Sequence, residues 1–266
     1  MINLELAKAA FGDFLKQYPD RESAGFRLKV THTAHVVRFA RELAARLGLP
    51  KEDRQLAELI ALLHDIGRFE ELRRTGSFDG NGFDHAACGV TMLFEEGRIR
   101  AFIKDNRYDE IIQKAIGSHS KKTIPAGLDE RSLLHARLIR DADKLDNFRV
   151  KTEEPIEAVF PGIVAGRAQL EQSAISDRVF ETVMQKSCVD LQDRQTPLDY
   201  WVCILAFVFD LIFKASYEIT KENRYIDKLI GRLNYQNAAA KARMEEIRNI
   251  LYEHLESRIR EEAKRA

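Results

Sequence analysis

The stretch "DRQLAELIALLHDIG", residues 53–67, decides the fold. From Leu56 to Leu63 only Glu58 breaks an apolar run, and a helix that is apolar almost all round lies at the centre of a helical protein. Its last turn carries His64 and Asp65 side by side, just before Gly67 and Arg68. A carboxylate buried there without a partner is costly, and a metal ion is one way to compensate it. Adjacent helical side chains diverge by about 100°, so the pair can approach one ion from two sides. Taken alone, the pair is better accounted for by a helix-end Asp–His hydrogen bond in the core. The other histidines have to decide.

Around this helix nearly everything reads as helix. The 266 residues hold only six prolines, and apolar residues recur at three- and four-residue spacings between sparse breaks. No period-2 run is flanked by hairpin turns, which speaks against a sheet. The expected class is all-α. The 42 basic and 42 acidic residues cancel, so no overall field points to nucleic acid or to an anionic membrane. Cys88, Cys188 and Cys203 form no close pair, which argues against a disulfide framework or a zinc ribbon and suits a reducing cytoplasm. The N-terminus lacks the pattern of a signal peptide. "YWVCILAFVFDLIF", residues 200–213, is too short to span a bilayer and contains Asp210, so it is expected to be a buried helix of the core or of a homo-oligomer interface. The charge-rich tail from Lys241 reads as a solvated helix.

Six of the seven histidines lie between residues 32 and 135; the other is His254. In "THTAHVVRFARELAARLG", residues 31–48, Val36, Ala40, Leu43 and Leu47 form the inward stripe. His32 extends that stripe and His35 sits at its margin. His85 follows a Gly-rich loop, residues 74–84, that reads as a lid or a linker with Gly76, Gly80 and Gly82. Asp84 before it reads as a helix cap or as a partner of the histidine. His119 ends "YDEIIQKAIGSHSKK", residues 108–122, on the face of Ile112, Ala115 and Ile116. "LLHARLIRDADKLDNFRV", residues 133–150, offers Asp141, Asp143 and Asp146, with His135 on the apolar face as a core histidine or an extra ligand. Those carboxylates can equally be surface charges paired with Arg140, Lys144 and Arg149. Inward histidines with carboxylates at several helix ends, and no cysteine among them, suit a first-row transition metal.

At this point the residues resemble the HD superfamily of metal-dependent phosphohydrolases: a histidine, then an adjacent His-Asp, then a distant aspartate on a helical bundle. The resemblance covers about residues 28 to 150. "IRDADKLDNFRV" is similar to the "ADRLHNMRT" stretch of stringent-response alarmone hydrolases, which puts Asp143 on the ligand aspartate in preference to Asp141. Binuclear members of the superfamily add two histidines, at positions that His85 and His119 suit, although no GYP motif occurs here.

The resemblance implies an HD-domain helical bundle in residues 1–150, with residues 151–266 as a C-terminal helical extension packed on it. It implies His32, His64, Asp65 and Asp143 around one divalent ion, and His85 and His119 joining Asp65 around a second. Manganese, iron, zinc, cobalt and nickel all remain open. The expected activity is hydrolysis of a nucleotide or related small phosphate ester by ion-activated water. Asp65 and Arg68 would be catalytic, and Arg68, Lys121, Lys122 and Lys144 the cations that meet substrate. Glu70 and Glu71 are either aids to proton transfer or solvated loop residues. A di-iron oxygenase of the same fold and a non-catalytic nucleotide sensor are the alternative readings.

Overall fold

The structure is a computed structural model that describes residues 2–19, 21–76, 78, 82–160 and 164–263, with the side chains of 262 and 263 left out. Among the described residues there is helix and no strand. Two compact units divide the chain, Met1–Asp146 and Asn147–Ala266. No described helix is long and apolar enough to cross a membrane.

The first unit holds α1 (Leu4–Leu15), α2 (Ala24–Arg46), α3 (Lys51–Leu63), α4 (Ile66–Thr75), α5 (His85–Val90), α6 (Ile99–Phe102), α7 (Asp109–Ser118) and the start of α8 (Glu130–Glu153). Ser23 caps α2 by accepting from Phe26 N at 3.2 Å, and Asn3 caps α1 in the same way. Gly48, at φ +65°, turns the chain from α2 into α3, which begins after Pro50 with Glu52 and Asp53 in its first turn. The α3 helix buries every residue from Leu56 to Leu63, Glu58 included, against the Val36–Phe39–Ala40–Leu43 face of α2. The expectation of a central buried helix holds.

Only His64 and Asp65 separate α3 from α4. His64 keeps helical angles; Asp65 leaves them at φ −104°, ψ 18°, and α4 starts at once with Ile66. Glu70 and Glu71 therefore lie on a helix and are buried, contrary to their reading as loop residues. Phe69 anchors α4 in an aromatic cluster, with Phe26 at 5.0 Å and Phe11, Phe14 and Tyr18 within 6.1 Å between ring centroids. Each such pair is worth about 1 kcal/mol beyond its buried area. The first turns of α4 are thus held by the aromatic cluster around Phe69 and by the Asp65 break.

In the second unit, "YWVCILAFVFDLIF" is buried from Trp201 to Ala206 and half-buried over much of the rest, and it is not one helix. The helix α9 (Pro197–Leu205) ends at Leu205, and a 3₁₀ segment continues to Asp210. Trp201 is fully buried and donates its indole N–H to Leu229 O at 3.2 Å. The tail helix, Ala238–Ala263, buries Met244, Ile247, Leu251 and Leu255. The tail is therefore amphipathic, and its charges hid a core stripe in the sequence.

Candidate metal centre

Five helix ends or faces of the first unit converge on Asp65. Its Oδ2 lies 3.5 Å from His32 Nε2 on α2 and 3.5 Å from His64 Nε2. Its Oδ1 lies 3.4 Å from His85 Nε2 and 3.5 Å from His119 Nε2. Asp143 on α8 adds Oδ1 at 3.2 Å from His32 Nε2. His32, His64 and Asp143 form one group able to hold a metal ion, and His64, Asp65 and His119 another. His85 stands 3.2 Å from His119, Nε2 to Nε2. All six residues named as metal ligands from the sequence are thus brought together.

The imidazoles are oriented by their far nitrogens. His64 Nδ1 donates to Ala61 O at 2.7 Å, and His119 Nδ1 donates to Ile116 O at 2.7 Å. These bonds select the tautomer whose Nε2 lone pair faces Asp65. His64 Nε2 is buried with no hydrogen-bond partner. A buried acceptor without a donor calls for a ligand, and a divalent cation fits the N/O donor set around it. Burial first, against the pull of Asp65, pushes the His64 pKa down to about 4, so the ring is neutral at pH 7.

One carboxylate and one lysine complete the set of ligands expected from the sequence. Asp146, fully buried, meets His32 Nδ1 at 2.6 Å, a carboxylate–histidine pair that orients the ring. Lys29, one helical turn before His32, donates to Asp65 Oδ2 at 2.6 Å. Burial and Lys29 both oppose a charge on His32, yet Asp143, Asp146 and Asp65 prevail and push its pKa up to about 10. Burial alone would raise Asp65, but Lys29 and the imidazoles hold it well below the usual carboxylate range. In the metal-free state Lys29 and a protonated His32 therefore carry the positive charge that Asp65 and Asp143 require. The sequence signal for Lys29 was its i, i+3 relation to His32.

The proposed substrate cations divide. Arg68 is partly exposed, with Nε 3.9 Å from Asp65 Oδ1 and Nη1 donating to Glu71 at 2.5 Å. Lys121 and Lys122 are exposed just after His119. Lys144, Arg140 and Arg149 are buried at 8%, 4% and 3% exposure, so the surface-charge reading of α8 does not hold. Asp84 caps α5 by accepting from Ala87 N at 2.9 Å. His35 is half-buried at the margin. Of the 74–84 loop, Gly76 and Gly82 are described, whereas Gly80 lies outside the described residues.

His135 is a core histidine. Its Nε2 meets Asp53 Oδ1 at 3.0 Å, and Arg131 Nε donates to the same oxygen at 2.7 Å. Burial, against the pull of Asp53, lowers the His135 pKa below 6.5. The unfolded chain then binds the extra proton, so this contribution to stability is present above 6.5 and lost as pH falls from there through the lower folded-state value. Urea unfolding of the metal-free protein between about pH 7.5 and about pH 5.5 should show less acid loss in His135→Gln than in the wild type. Equal losses would mean that His135 titrates alike in both states.

Compared with known protein families, residues 30–147 match the HD domain. Over 113 residues the chain is 41% identical to a deoxyguanosinetriphosphate triphosphohydrolase-like protein of Caulobacter vibrioides, covering 40% of this chain and 28% of that protein. A protein of the same description from Nitrobacter hamburgensis is 32% identical over 137 residues, covering 43% of this chain and 33% of that one. The chain thus spans about a third or less of the length of these curated relatives. No solved structure matches the chain. The helical bundle, the adjacent His64 and Asp65 at its central helix break and the family match agree: residues 30–147 are an HD domain.

Proposed function

We propose that the protein is a metal-dependent phosphohydrolase acting on a nucleotide or related phosphate ester, with one or two divalent transition-metal ions as cofactor. The observation that carries this is the carboxylate of Asp65, whose two oxygens face two different sets of imidazole nitrogens. A divalent ion supplies Lewis acidity toward phosphoryl oxygens and makes water a competent nucleophile near neutral pH. Phosphoryl transfer needs little beyond positioning and charge stabilisation. His32, His64 and Asp143 would hold one ion, and His85 and His119 a second, with Asp65 shared between them. Asp146 and the carbonyls of Ala61 and Ile116 keep the rings aimed.

Arg68 is the first candidate to meet a phosphoryl oxygen, since its guanidinium sits at the edge of Asp65 and Glu71 restrains it. Lys121 and Lys122 would draw in the outer phosphates from the loop after His119. Lys144, buried on α8 next to Asp143, would add positive charge near the site. The descriptions of the relatives make deoxynucleoside triphosphates the first substrates to try.

The test is metal analysis of the purified full-length chain, then a release assay over nucleoside triphosphates, monophosphates and cyclic nucleotides with each ion added in turn. Ion-dependent release of orthophosphate or tripolyphosphate, or ring opening of a cyclic nucleotide to its monophosphate, is expected from at least one of them. No hydrolysis of any of them by any metal-loaded form would overturn the proposal. So would dioxygen uptake by the ferrous protein without phosphate release.

A further inference from the structure

The second ligand group ends at the C-terminus of α7, where a helix leaves its last carbonyls without intrahelical donors. Part of that need is met locally, where Ser118 Oγ donates to Lys114 O at 2.7 Å and Lys121 N to Ser118 O at 3.2 Å; the chain continues as "SHSKK", residues 118–122, with Lys121 and Lys122 exposed. Further donors to this segment come from α8. Arg140 is 4% exposed, and its Nη1 donates to Ser118 O at 3.3 Å, to His119 O at 3.4 Å and to Lys121 O. Its Nη2 donates to Lys122 O at 3.2 Å. One buried guanidinium thus gathers four consecutive-turn carbonyls. The planar fork of arginine can do this where the single ammonium of a lysine cannot.

The placement matters because Arg140 lies three residues before Asp143, on the same helix. We infer that Arg140 is a positioning residue that fixes His119 relative to Asp143, and so sets the spacing between the two metal-holding groups. His119 needs such a device. It lies beyond the last residue of α7, and its ring is oriented by the carbonyl of Ile116 in the final turn. If the segment after Ser118 loosens, the imidazole leaves Asp65 Oδ1, while His64 keeps its own bond to Ala61 O on α3. The same clamp holds the backbone that presents Lys121 and Lys122. This role rests on the two-group reading above, but one of its consequences does not require metal.

The test uses full-length Arg140→Met and Arg140→Lys beside the wild type. In the metal-free proteins, nitrogen-15 spectra of the histidine rings follow the slowly exchanging Nδ1 protons of His119 and His64. In Arg140→Met the His119 signal should be lost and the His64 signal retained; Arg140→Lys should lose it in part. Metal content should fall from about two ions to about one in Arg140→Met. An unchanged His119 signal with an unchanged ion count would overturn the inference, and so would loss of both histidine signals together, which marks a general structural role. If the methionine variant does not fold, the lysine variant carries the comparison. Absence of metal uptake or phosphate release in the wild type would count against the proposed function, because the ring-proton comparison needs neither.

Discussion

Asp65→Ala is expected to lose bound metal and turnover together while keeping a folded chain. No other described carboxylate faces both imidazole sets, so its removal strips an anionic ligand from each group at once. A divalent ion held there would contribute several kcal/mol to the transition state, and about 4 kcal/mol is a factor of about 10³ in rate, so turnover should fall by about 10³ or more. The fold should survive because the partner left behind, Lys29, is 19% exposed and can turn its ammonium toward water. Asp65 sits in the break between α3 and α4, where no helical hydrogen bond depends on its side chain. Asp65→Asn keeps the shape and an acceptor oxygen but not the charge, and should retain the fold with weakened metal. Elemental analysis, circular dichroism and the release assay read the three quantities separately. A purified Asp65→Ala protein with full metal and full turnover would remove the site from the proposal.

Which residues point inward was legible in the sequence; what they touch was not. The 3.6-residue period projects His32 and His119 onto apolar faces, and the faces are correct because burial acts on the whole stripe. Pairings that cross between helices leave no such trace. Asp146 to His32 spans 114 residues, His135 to Asp53 spans 82, and Arg140 to the end of α7 about 20. A charge is read as solvated by default, and α8 breaks that default with Arg140, Asp141, Lys144, Asp146 and Arg149 all buried. Such charges are tolerated because each is engaged. The end of α3 at His64 and Asp65 was legible, but not the immediate restart of the chain as α4 at Ile66. It needs neither proline nor a run of polar residues, so Glu70 and Glu71 looked like the start of a loop when they begin the interior of a helix.

Gly67→Ala should damage the site from outside it. An alanine Cβ at this position would stand 2.1 Å from His85 O and 2.8 Å from Gly89 N. Both are backbone atoms, so no side chain can turn aside, and α4 must part from α5 by more than about 1 Å to reach ordinary contact. The local conformation is not at fault, because Gly67 is helical and alanine is the better helix former by about 1 kcal/mol. Overpacking of a close contact costs about 1–3 kcal/mol, and that sets the expected loss of stability. Function should suffer more than stability. His85 leads α5, and moving its backbone carries the imidazole away from Asp65 Oδ1 and from His119. A displacement of about 1 Å at a catalytic group can cost about 10² in rate. The expected result is a folded protein with about one ion in place of about two and turnover reduced about 100-fold. Gly12→Ala is the control: it lies inside α1 with nothing within 4 Å of the new Cβ, and should be neutral or slightly stabilising. A Gly67→Ala protein that unfolds like wild type, holds both ions and turns over normally would show that the approach of α4 to α5 has no part in placing His85.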